Sequence, residues 1–85
     1  MVMEPLDGNA IGGLLHEVFG TEMTAATSTC ATCGDRGPVA LTVVYLDAPG
    51  TVVRCRNCAS VLMVFARVHE RYCVDLGGLA ALEAG

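Results

Sequence analysis

Cys30-Ala31-Thr32-Cys33-Gly34 and, further along, Cys55-Arg56-Asn57-Cys58-Ala59 decide how the rest of the chain is read. Each stretch is a C-x-x-C turn. Such a turn lets two sulfurs of one short loop reach a single ion, and it lets loop N–H groups point at the sulfurs. One pair alone carries little information. Two pairs separated by a readable hairpin describe a site, because structural zinc takes four Cys or His ligands, with Zn–S near ~2.3 Å. Cys30, Cys33, Cys55 and Cys58 are therefore expected to hold one structural zinc ion.

The residues between the pairs supply that hairpin. Asp35-Arg36-Gly37-Pro38 reads as a turn. Residues 39–46 are largely β-branched and apolar and read as a strand. Asp47-Ala48-Pro49-Gly50 is a turn by its own chemistry, and residues 51–54 return as a strand into Cys55.

Past the second pair, residues 61–68 form an apolar strand and His69-Glu70-Arg71 a turn. Tyr72, Val74 and Leu76 then alternate with Cys73 and Asp75, as a strand requires. Gly77-Gly78 ends it, and residues 79–84 read as one helical turn in preference to an added strand.

Upstream, Asp7-Gly8-Asn9 offers side-chain acceptors for the free N–H groups of a helix start. Ile11, Leu14, Leu15, Val18 and Phe19 fall on one helical face, and Gly20 stands where a C-terminal cap belongs. Gly12 and Gly13 each cost ~1 kcal/mol against Ala, so either packing holds this helix or it begins later than Asn9. Residues 21–29 read as a loop or short strand.

These elements make a small α+β protein. One N-terminal helix packs on an antiparallel sheet of about four strands, closed by the four-cysteine site. A single domain spans 1–85, with a helix region at 6–20, a ribbon at 27–76 and a tail at 77–85. The 85 residues are 53% apolar and 16% charged, a composition that folds but builds a modest core. Small cores commonly need a metal or a partner. The strands are apolar on both faces in places; the helix is the natural cover for one dry face, and failing that a partner protein is.

The matching parts resemble the zinc-ribbon class: the two C-x-x-C turns with the hairpin between them. Leu6-Asp7-Gly8-Asn9-Ala10, Glu17-Val18-Phe19-Gly20 and Met23-Thr24 further resemble a family of short actinobacterial zinc-ribbon proteins of unknown function. That resemblance implies a fold and a metal and no reaction. Zinc-ribbon loops usually carry Gly after the second cysteine, as Gly34 does; Ala59 takes that place in the second loop, where the backbone must be strained or turned differently.

Iron is the alternative metal, because rubredoxins also use two such loops. Theirs pack aromatic residues around the site and carry Pro and Gly in the second loop, and this chain matches neither. Other signals have plainer readings. His16-Glu17 lacks the second His of a zinc-protease helix, since position 20 is Gly. His69 lies in a turn. Ser28 and Ser60 have no visible triad. Cys73 reads as packing on an alternating strand.

The net charge is −4, with five Arg and no Lys. That balance disfavours nucleic acid, which usually leaves a basic footprint. Arg54 and Arg56, beside the second pair, are the candidate interaction surface, with Arg36 as an addition. The expected function is a non-catalytic zinc-binding module that contacts an unknown protein partner or serves as an accessory subunit. A nucleic-acid or ribosome-associated ribbon, and a rubredoxin-like carrier or thiol redox switch, are the alternatives. The acidic start lacks the basic and then apolar pattern of a signal peptide, and no apolar run has membrane length. The expected location is the cytoplasm, where paired cysteines stay reduced and bind metal.

Overall fold

The computed structural model describes residues 6–47 and 50–83; of Asp47 only the backbone is described. The turn expected around Ala48-Pro49 lies outside the described residues. The chain runs as β1 (Leu6–Asp7), a 3₁₀ turn (Gly8–Ile11), α1 (Gly12–Phe19), β2 (Thr27–Cys30), β3 (Arg36–Pro38), a second 3₁₀ turn (Val39–Leu41), β4 (Val43–Asp47), β5 (Gly50–Arg54), β6 (Val61–Val68), β7 (Arg71–Asp75) and β8 (Leu79–Glu83). The class is small α+β with one short helix. The expected single sheet of about four strands is corrected to two antiparallel sheets, ordered β1-β4-β5-β6-β7 and β3-β2-β8.

Three local expectations change with it. Residues 36–38 pair with β2 as a strand instead of turning. Residues 39–41 form the second 3₁₀ turn, so β4 starts only at Val43. The turn is fixed at both ends: Val39 N–H donates to Ala26 O at 2.8 Å, and Thr42 donates to Val39 O through its N–H (3.0 Å) and its hydroxyl (2.7 Å). This drops Val39 into the core at 1% exposure. Residues 79–83 are a strand and not a helical turn, because the second edge of β2 is open to pair with them.

The helix follows its sequence signals. Asp7 accepts from Asn9 N–H at 3.0 Å, and Gly20 caps the end with φ 74°, its N–H donating to His16 O. Ile11 and Leu15 are buried, and Leu14, Val18 and Phe19 pack against the same core. Phe19 meets Phe65 edge to face at 6.3 Å, and Tyr72 donates to Glu17 at 3.2 Å. The helix therefore covers the face of the larger sheet that carries Val44, Val53, Met63 and Phe65. The opposite face carries Tyr45, Val52, Val64 and Ala66, each half-buried.

One glycine joins the two sheets. Gly78 N–H donates to Leu62 O at 3.2 Å, while its carbonyl accepts from Ala31 N–H at 3.0 Å. A Cβ at Gly78 would lie 1.8 Å from Val61 O, so no side chain fits. No helix among the described residues is long and apolar enough to cross a membrane.

Candidate metal centre

Both sheets deliver a cysteine turn to one place. β2 ends on Cys30, and β5 runs into Cys55. In the first turn Gly34 N–H donates to Cys30 O at 3.0 Å, and Cys30 N–H donates to Asp35 O at 2.9 Å. In the second, Ala59 N–H donates to Cys55 O at 3.0 Å, and Cys55 N–H donates to Ser60 O at 2.8 Å. The offsets are identical. Gly34 and Ala59 both adopt left-handed backbone, at φ 78° and 63°.

The four Sγ atoms lie within 4.8 Å of one another. Cys30 and Cys58 approach to 3.6 Å, and so do Cys33 and Cys55. A disulfide needs ~2.05 Å between sulfurs. A tetrahedral ion with sulfur at ~2.3 Å sets its sulfurs about 3.8 Å apart. The spacing therefore fits four thiolates around one metal ion, and it joins the first cysteine of each turn to the second cysteine of the other. Cys30 and Cys55 are buried, Cys58 is half-buried, and Cys33 is exposed.

The surroundings prepare the sulfurs for a cation. Asp35 N–H points at Cys33 Sγ (3.4 Å) and Asn57 N–H at Cys55 Sγ (3.3 Å). Hydrogen bonds from the Ser60 side chain and backbone pull the Cys58 thiol down to about 6. The Asn57 side chain, followed by the Asp35 N–H, lowers Cys33. Burial instead pushes Cys55 up to about 11. The local hydrogen bonds thus shift Cys33 and Cys58 toward thiolate, while burial opposes ionisation at Cys55, where a bound cation would offset it.

Here the chain can be compared with known proteins. The model of a family described as "Family of unknown function (DUF6510)" matches residues 2–85. The chain belongs to DUF6510. No curated protein and no solved structure matches it. For this DUF6510 chain the four cysteines expected to gather do gather, and they can hold a metal ion.

The other expected residues fall elsewhere. Arg56 donates from Nε to Asp35 at 3.1 Å, linking the two turns, and Arg54 donates to Ala59 O at 2.9 Å with its guanidinium 5.9 Å from the Tyr45 ring centroid. Arg36 pairs with Glu83 at 3.1 Å. Cys73, expected to pack, is exposed, on β7, the last strand of its sheet among the described residues. Sequence reading passed over Asn57 and Ser60. Their signal was positional: Ser60 follows Cys58 at the same offset as Asp35 follows Cys33.

Proposed function

We propose that this chain is a non-catalytic interaction module of the zinc-ribbon kind, whose structural zinc ion replaces the core that 85 residues cannot supply. The carrying observation is the pair of matched turns with all four sulfurs within 4.8 Å. Thiolates would occupy every position of a tetrahedral ion and leave none for water or substrate, the mark of a structural site. Sulfur selects zinc or iron. Zinc is the better reading, since the second loop, Cys55-Arg56-Asn57-Cys58-Ala59, lacks the Pro and Gly of a rubredoxin loop and the chain has no Trp. Reduced thiols fit a cytoplasmic setting. A protein partner is supported by the apolar face of Tyr45, Val52, Val64 and Ala66, away from the helix. Arg54 and Arg56, which a nucleic acid would need, are engaged inside the chain.

Elemental analysis of the purified protein tests the reading. It is expected to give one zinc per chain, with folded circular dichroism lost on chelation. A red, iron-loaded preparation would identify an electron carrier instead. A chelated chain with unchanged dichroism and melting temperature would remove the structural role.

A further inference from the structure

The open edge of the larger sheet carries a sequence that complements itself. β7 reads Arg71-Tyr72-Cys73-Val74-Asp75 and, among the described residues, pairs on one side only, with β6. Natural edge strands are commonly protected by charged side chains, Lys above all, or by Pro, a bulge or shortness, and the charges on β7, Arg71 and Asp75, are of opposite sign. β1, at the other edge of the sheet, has two residues, and β3 contains Pro38. β7 has five residues, no Lys, no Pro and an unbroken register against β6. Arg71, Cys73, Val74 and Asp75 are exposed.

The direction of its backbone groups follows from the hairpin. Val68 pairs with Arg71, so the loop is His69-Glu70, and both loop residues have positive φ (49° and 66°), as a type I′ turn requires. The residues flanking such a two-residue loop form a hydrogen-bonded pair, and pairs alternate from there. Arg71, Cys73 and Asp75 therefore turn their backbone groups toward β6. Tyr72 and Val74 turn theirs to the open edge.

We propose that two copies of this chain pair antiparallel through β7, about a two-fold axis at Cys73. In that register Arg71 of each copy faces Asp75 of the other. Tyr72 faces Val74, so both outward-pointing residues find hydrogen-bonding partners. Cys73 faces its own copy in the close, non-hydrogen-bonded position, with Cα atoms ~4.5 Å apart, where a small side chain is needed. Asp75 keeps its local bond from Gly77 N–H at 2.8 Å through one oxygen and offers the other across the axis. A one-residue slip would lose both ion pairs, so charge fixes the register. β8, the remaining edge, has no such symmetry: centred on Ala81, it would set Leu79 against Glu83, which Arg36 already holds. Pairing through β7 is independent of the metal reading, since none of its residues is a ligand.

Sedimentation equilibrium of the metal-loaded, reduced full chain tests this. Wild type is expected to approach twice the chain mass as concentration rises. Arg71→Asp and Asp75→Arg each oppose like charges at both ends of the interface and should weaken association by roughly tenfold or more. Mixed in equal amounts, the two variants restore both opposite-charge pairs and should dimerise together. Val74→Pro removes an outward N–H without breaking the β6–β7 ladder, and it should give a monomer with unchanged dichroism. A wild type that stays monomeric at every concentration overturns the proposal. So does a dimer that ignores the charge reversals or Val74→Pro, or a mixture that stays monomeric.

Discussion

The first cysteine turn, from Cys30 to Asp35, and the second, from Cys55 to Ser60, make the same backbone hydrogen bonds with different side chains. The first uses Gly34 at its left-handed position, where positive φ carries no Cβ penalty. The second places Ala59 there and adds two arginines. Arg54 grips the Ala59 carbonyl, and Arg56 reaches across to Asp35. The positions matching them in the first turn are Thr29 and Ala31. A C-x-x-C turn is thus defined by its hydrogen bonds, and the residue at the strained position is adjustable where neighbours hold the loop. It also gives Arg54 and Arg56 a bracing task within the chain.

The severest way to break this comparison is to remove one sulfur from each turn. Cys30→Ser and Cys55→Ser are expected to fail alike, with loss of metal and of folded circular dichroism. If the proposed zinc is the ion held, its binding would be worth ~10–16 kcal/mol at neutral pH, more than a small core can replace. A variant of one turn that stays folded while the other collapses would mean that the turns do not share one ion.

A gentler probe exchanges the residues at the strained position. No atom lies within 4 Å of a Cβ built at Gly34, so Gly34→Ala tests backbone strain alone. It is expected to cost about 1–2 kcal/mol in denaturant unfolding of the loaded protein. Ala59→Gly should stabilise by less than that, because glycine also loses more entropy on folding. An Ala59→Gly that destabilises would show that the Ala59 methyl group contributes packing. The smallest effect is expected from Arg56→Ala. Its pair with Asp35 is 40% and 29% exposed, and surface pairs contribute ~0.5 kcal/mol. The melting temperature should shift little, and less at high salt.

The site was more legible in the sequence than the sheets were. Ligand spacing is a local property, so the two pairs announced themselves, and the strain at Ala59 followed from its place after Cys58. The helix was legible for the same reason, through the stripe from Ile11 to Phe19 and the Gly20 cap. The second sheet joins two neighbouring short segments to a third far along the chain, and its central strand is Thr27-Ser28-Thr29-Cys30. Such a polar run gives only a weak strand signal, readable as loop or as short strand, although Ser28 is only 5% exposed. Without β2, residues 36–38 and 79–83 had no partner and read as turns. The apolar run from Val39 looked continuous with β4. The tertiary bonds from Val39 to Ala26 and from Ala40 to Thr24, with the local bonds from Thr42 to Val39, bend it into a 3₁₀ turn.

Gly78 links the β6 backbone at Leu62 to the first cysteine turn at Ala31. This contact constrains how the family can drift. Across an alignment of relatives, position 78 should be nearly invariant as glycine. Gly13, with nothing within 4 Å of its Cβ position and a helical backbone, should accept many residues. A relative bearing a side chain at position 78 must have moved β8 away from β6. Where that has happened, substitutions at position 31 and along residues 79–83 should appear in the same sequences.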